Sequence, residues 1–221
     1  MNQDAKARLD AVTASIARAA KVSGRKAEDI ALIAISKTYG ADAIQPLIDA
    51  GQRRFGENRV QEAQAKWPAL IAATPGIELH LVGQLQSNKA EDAVVLFDYV
   101  HSVDRASLVT ALAKAQDKLG RRPRCFLQIN IGDEPQKGGC PTAQAPALLA
   151  LARGAGLDIA GLMAVPPADI EPAPYFALLA KMAREKGLAG LSIGMSGDYE
   201  TAVMLGATYV RVGSALFGTR G

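Results

Sequence analysis

Cysteine is scarce in this chain of 221 residues: only Cys125 and Cys140 occur, and histidine is limited to His80 and His101. No close Cys/His grouping with metal-ligand spacing results, so a reduced, metal-free chain is expected. A charge excess is equally lacking. Lys plus Arg number 25 against 22 Asp plus Glu, a net charge of +3, and no dense basic run with interleaved aromatics occurs. That excludes the electrostatic footprint of a nucleic-acid binder. No uninterrupted apolar stretch approaches the ~20 residues that span a bilayer. The opening MNQDAKARLD is charged where a signal peptide carries its apolar region. A cytoplasmic chain without a membrane partner is expected. Low-complexity tracts are missing too, as are the nucleotide signatures G-x-G-x-x-G and G-x-x-x-x-G-K-[ST].

What the chain does have is apolar residues, 49% of the total, and a regular rhythm. One domain over residues 1–221 suits this length. Leu9, Val12, Ile16 and Ala19 or Ala20 fall on one face of DAKARLDAVTASIARAAK, which predicts an N-terminal helix ending near SGR. Eight β-rich runs follow, IALIAIS, RRFGEN, ELHLVG, YVHSV, RCFLQIN, IAGLMAV, GLSIG and YVRVG, each leading through a turn into a segment of helical spacing. Strands alternating with helices pair in parallel, because each crossover needs about a dozen residues or more. Eight such units predict a closed (β/α)₈ TIM barrel; a doubly wound open sheet would usually have fewer strands and a Gly-rich first turn. The proline-rich AVPPADIEPAP falls between the sixth strand and its helix and reads as a stiff loop.

Barrels concentrate chemistry where their strands end. Here those ends offer Lys37, Glu57 and Asn58, Gly83 and Gln84, Gln128 and Asn130, Met163, then Gly194, Met195 and Ser196, and finally Arg211, Gly213 and Ser214. Lys37 shares a strand face with Ile35, Ile33 and Ala31. If that face is inward, the amine tops an apolar shaft, where desolvation favours the neutral form that attacks carbonyls. The alternative is a lysine that ends a strand and snorkels to water.

Two glycine and serine turns, GMSG and GSALFG, each leave a strand and open a helical segment. Unpaired N–H groups at helix starts bind anions, and the seventh and eighth loops are where barrels commonly hold phosphate. Ser196 and Ser214 could each add a hydroxyl and Gly213 a close backbone approach, against the plainer reading of both serines as N-caps. Arg211 stands between Val210 and Val212; if those valines pack outward, its guanidinium points into the barrel. There it meets either a structural carboxylate or a ligand atom.

An amine, a phosphate cradle and an inward arginine together meet the needs of pyridoxal 5'-phosphate (PLP). Lys37 would hold the aldehyde as an internal aldimine, the last two loops the phosphate, and Arg211 the ring nitrogen. Arginine donates a hydrogen bond without readily giving up a proton, so the ring would be a weak electron sink.

The motifs AISKTYG, FGENRVQE, HLVGQLQSNK, HSVD, QINIGDEPQKGG, GLMAV, GMSGDYETAV and VRVGSALFG, from about Ile30 onward, resemble the pyridoxal phosphate homeostasis protein family. The resemblance implies the barrel of the alanine racemase N-terminal domain. It also implies PLP held through Lys37, Asn58, Met163, Ser196, Arg211, Gly213 and Ser214, a cofactor-buffering or delivery role without substrate turnover, and apo PLP-dependent enzymes as recipients. Two departures stand out: Ile193, where the family often has methionine, and the proline-heavy sixth loop after Val165.

A racemase needs a second acid or base, which in alanine racemase-like enzymes is a tyrosine from an added β domain. The last strand here closes at Gly213, leaving no room for one within these residues. A non-catalytic monomer is therefore expected, with a single-domain PLP-dependent racemase and a cofactor-free class I aldolase-like barrel as alternatives. Tyr39 is expected to pack over the barrel mouth, His80 and His101 to be hydrogen-bonded structural residues, and Glu57 to orient Asn58 or Lys37.

Overall fold

The computed structural model describes residues 2–218, with Asn2 and Gln3 described by backbone alone. Helix α1 (Asn2–Val22) precedes strand β1 (Ala31–Ile35), and the chain then alternates: α2 (Ala41–Asp49), β2 (Arg54–Glu57), α3 (Val60–Ala73), β3 (Glu78–Leu81), α4 (Ala90–Leu96), β4 (Tyr99–Val103) and α5 (Ala106–Leu119). The second half continues with β5 (Arg124–Asn130), α6 (Ala145–Gly154), β6 (Ile159–Ala164), α7 (Ala173–Glu185), β7 (Gly190–Ser192), α8 (Tyr199–Met204), β8 (Tyr209–Val212) and α9 (Ser214–Phe217).

All strand pairs are parallel. β1 pairs with β2 on one side and β8 on the other, and β4 pairs with β5, so the sheet closes on itself. This is the (β/α)₈ TIM barrel that the eight β-rich runs predict. Closure removes exposed edges, and only helices supply crossovers long enough for parallel neighbours. A two-residue strand, Cys140–Pro141, pairs with the end of β5 and has no counterpart in the sequence reading. It is too short to leave a periodic signal.

The core has two parts. Outward-facing residues such as Leu32, Phe55, Leu79, Leu162 and Val210 join the helices in one large apolar cluster. Inside the barrel, Tyr99, Phe126 and Met163 form a separate cluster. Glycine makes room for the larger rings: a Cβ on Gly190 would come within 2.8 Å of the Phe126 ring. Proline tolerance also fits, since residues 165–172 connect β6 to α7 as a loop and Pro172 stands at the helix N-cap.

Helix α1 buries Leu9, Val12, Ile16, Ala19 and Ala20, the face its periodicity predicts, against α8, α2 and α9. Polar side chains of the helix and of the turn after it hold the last elements in place. Arg8 Nε donates to the Leu216 carbonyl at 2.6 Å and Arg25 Nη1 to the Val203 carbonyl at 2.9 Å.

Candidate functional site

A cavity of about 400 Å³ opens among the carboxyl ends of the strands. Its polar lining is Lys37, Asn58, Ser196, Arg211 and Ser214, with Gly213 exposing backbone; Ile35, Val82, Val165 and Met195 supply the apolar walls. Six of the seven candidate residues thus meet in one place although Lys37 and Ser214 stand at opposite ends of the barrel sequence.

Each arrives for a local reason. β1 ends at Ile35, so Lys37 belongs to the following turn rather than to the strand, and it is half-buried. The turn is held from α3. Lys66 Nζ donates to the carbonyls of Ser36 at 2.9 Å and Tyr39 at 2.8 Å, and the Thr38 N–H donates to Glu62. Thr38 itself has φ of 67°, a left-handed conformation that a β-branched residue rarely adopts. The clamp keeps it there. Tyr39 stacks on Phe217 with centroids 4.3 Å apart and does not line the cavity.

Glu57 faces the opposite way, toward α3, where one oxygen takes hydrogen bonds from Ser36 Oγ at 2.5 Å and Trp67 Nε1 at 3.0 Å and pairs with Lys66 at 2.9 Å. Burial raises its pKa despite those donors. It acts on the Lys37 turn through Ser36 and Lys66 and does not enter the cavity. Asn58, the next residue, does. A Cβ on Gly83 would stand 2.2 Å from the Asn58 carbonyl oxygen, so only glycine lets the segment after β3 pass this close.

At the other end, Ser196 Oγ accepts the Gly213 N–H at 3.1 Å, joining the two glycine and serine turns. Helices α8 and α9 span six and four residues, so the dipole of each is small, and an anion held here would rest on the local N–H and hydroxyl groups. Gly213 has an ordinary φ of −115°. A Cβ there would make only ordinary van der Waals contact, with Ile35 at 3.6 Å, so the surrounding protein does not itself demand a glycine.

Arg211 is buried, and Val210 and Val212 pack outward as the alternation requires. Nη1 donates to Ser192 O at 2.5 Å and Ser192 Oγ at 2.7 Å, and Nη2 donates to Ala164 O at 3.0 Å. Among the described residues no carboxylate pairs with it directly. Burial lowers its pKa to about 10, opposed by Asp198, so it stays charged at neutral pH. Three of its five N–H groups are committed to these acceptors, which leaves two for a ligand.

Met163 is the exception among the seven. It is buried beside Tyr99 and Phe126, below the cavity, because inward side chains alternate and Val165, two residues on, reaches the lining instead. Gln128 and Asn130 also turn aside. The first bonds Gln84 at 2.6 Å and Gly138 at 3.2 Å, the second the Glu134 backbone.

Against known families, residues 7–221 match the alanine racemase N-terminal domain. The pyridoxal phosphate homeostasis protein of Escherichia coli (strain K12) is 39% identical over 222 residues, covering 96% of this chain and 95% of that protein. The protein of the same name from Deinococcus radiodurans is 41% identical over 214 residues, covering 95% and 99%. The chain belongs to the pyridoxal phosphate homeostasis protein family. A solved relative, PipY of Synechococcus elongatus PCC7942 with PLP bound, superposes with a TM-score of 0.78 at 40% identity, covering 92% of this chain and all of that one. Alanine racemase of Clostridium difficile 630, at 16% identity and a TM-score of 0.73, shares the fold; the match covers 99% of this chain and 57% of the racemase.

In this homeostasis-family chain a further set of residues is joined below the cavity. His80 and His101, expected to be structural, are fully buried and joined at 3.0 Å, and through Ser192 they reach Arg211. Strand alternation identifies each as inward; only the closed barrel places them on one line.

Proposed function

We propose that the chain binds PLP in this cavity as a single barrel domain, holds it reversibly and releases it to apo enzymes that use it. The observation that carries this reading is the convergence of an amine, a guanidinium with two uncommitted N–H groups, and a hydroxyl and backbone cradle in one cavity. Its volume lies within the ~300–1,000 Å³ of ligand sites. The donor set fits the group. Lys37 would meet the aldehyde, Ser196, Gly213 and Ser214 the phosphate, Arg211 the ring nitrogen, and Asn58 the ring edge, while Ile35, Val82 and Val165 form apolar walls.

Bound PLP supplies an aldehyde for a reversible covalent hold and a ring that can withdraw electrons. Arg211 weakens the second capacity, because a guanidinium donates a hydrogen bond and keeps its proton. Among the described residues lining the cavity, Lys37 and Arg211 are the titratable ones, with no carboxylate, imidazole, thiol or phenol beside them. Turnover of an amino acid needs a second acid or base, so the reading is a carrier rather than a racemase. No helix among the described residues is long and apolar enough to cross a membrane. We place the carrier in the cytoplasm as a monomer.

Incubation with PLP followed by borohydride reduction should fix the cofactor to Lys37. An unchanged spectrum and reducible adduct in Lys37→Ala would contradict the assignment. Exchange of the Cα hydrogen of free amino acids for deuterium at enzyme-like rates would favour the racemase. Transfer to apo enzymes no faster than spontaneous release would remove directed delivery.

A further inference from the structure

Beneath the cavity a line of polar side chains crosses the apolar barrel interior. His80 Nε2 lies 3.0 Å from Glu78 Oε1, His80 Nδ1 lies 3.0 Å from His101 Nε2, and His101 Nδ1 lies 2.8 Å from Ser192 Oγ. Ser192 Oγ in turn accepts from Arg211 Nη1 at 2.7 Å. His80, His101 and Ser192 are fully buried, and the two rings are stacked on Tyr99 and Phe126 with centroids 4.5 Å apart in each case. Buried polar groups of this kind are costly unless every one is satisfied.

The two ends fix how they are satisfied. Arg211 can only donate, and a carboxylate can only accept. Burial pushes Glu78 up, but the hydrogen bond from His80 and the charge of Arg54 outweigh it, so Glu78 is ionised. Ser192 must then give its single proton to His101 Nδ1. A neutral His101 carries its proton on Nε2 and donates to His80 Nδ1, and a neutral His80 donates from Nε2 to Glu78. Burial holds both imidazoles below their ordinary pKa, opposed at His80 by Glu78, and the charge of Arg211 lowers His101 further. Reversing the direction with neutral rings would set the bare Nε2 of His80 against the Glu78 carboxylate. Reversal with a charged His80 would leave the Ser192 hydroxyl proton without an acceptor.

We propose that Glu78, His80, His101 and Ser192 form a one-way hydrogen-bond chain that positions Arg211 and fixes which of its N–H groups face the cavity. This rests on the reading of the cavity as a PLP site, because the consequence falls on the ring-nitrogen contact. His80, His101 and Ser192 are positioning residues. With both protons of Nη1 held on Ser192 and one of Nη2 on Ala164, the guanidinium cannot rotate about its axis without breaking the line. The Nε and remaining Nη2 protons stay presented to the ligand.

Ring nitrogen chemical shifts from ¹⁵N-labelled protein without PLP test the direction at neutral pH. Both histidines should be neutral with the proton on Nε2. An imidazolium at His80, or a proton on Nδ1 of neutral His101, overturns the chain. Release of PLP tests the consequence. Ser192→Ala and His101→Leu should each release PLP about tenfold faster and shift the absorption maximum of the bound cofactor. His101→Gln can accept on one side and donate on the other, and should stay within about threefold of the parent chain. Equal release from all three variants and the parent would show that backbone carbonyls alone hold Arg211, and would overturn the positioning role. Failure of the parent chain to take up PLP would sink the cofactor reading itself, and the nitrogen shifts would still decide the direction.

Discussion

Lys66 Nζ lies 2.9 Å from the carbonyl oxygen of Ser36, the residue immediately before Lys37. The same ammonium reaches the Tyr39 carbonyl, Glu62 and the buried Glu57, so a helix on the outside of the barrel sets the turn that carries the cavity's lysine. Lys66→Met should therefore act twice. It leaves Glu57 buried without its cation, which costs about 3–5 kcal/mol in urea unfolding at neutral pH. It also frees the Lys37 turn, so borohydride should trap less PLP at equal folded protein. Because burial already raises the pKa of Glu57, the orphaned carboxyl can neutralise by taking up a proton, and the stability cost should shrink as pH falls.

Stability should depend on pH through the two interior histidines. Their folded pKa values lie below the ordinary imidazole value, so an unfolded chain binds more protons than the folded one once pH drops below about 6.5. Folding stability is then lost on acidification. The larger share should come from His101, whose pKa is held well below the ordinary value, with a smaller one from His80, where Glu78 opposes burial. Denaturation midpoints followed from about pH 8 to about pH 5 should show it, and the double variant His80→Gln with His101→Gln should flatten the profile. An equally steep profile in the double variant would assign the acid sensitivity elsewhere.

Gly83→Ala should damage the site through the backbone. Its Cβ would fall 2.2 Å from the Asn58 carbonyl oxygen and 2.7 Å from the Asn58 Cα, atoms that cannot rotate aside. A loss of about 1–3 kcal/mol is expected, with weaker PLP retention because Asn58 must shift. Gly154→Ala in α6, where nothing lies within 4 Å of the added carbon, should be neutral or stabilising by up to about 1 kcal/mol. Thermal melts and PLP release rates of the pair check this.

Much of this was legible in the sequence because strand alternation is a local signal. Each β-rich run corresponds to a barrel strand, and the inward position of Arg211 follows from its two flanking valines. The barrel's closure brings Lys37, Asn58, Ser196, Arg211, Gly213 and Ser214 to one cavity, as the order of strand ends implies. Met163 shows the limit of this reasoning. Sequence gives the face a residue occupies and not its depth, and Met163 lies one inward layer too low. Glu57 shows another, since it sits beside Asn58 in sequence and points to the opposite side of the sheet. Lys66 and the His80 to Arg211 line were beyond reach for a different reason. They join residues from different strands and helices, and no periodicity records which side chains meet across a barrel.

The most direct measurement of the central claim is to load the purified chain with PLP, reduce it with borohydride, and locate the adduct by peptide mass spectrometry. The account predicts a single stoichiometric pyridoxyl adduct on Lys37, lost in Lys37→Ala. An adduct concentrated on another lysine, or no adduct and no absorption from bound cofactor, would contradict it.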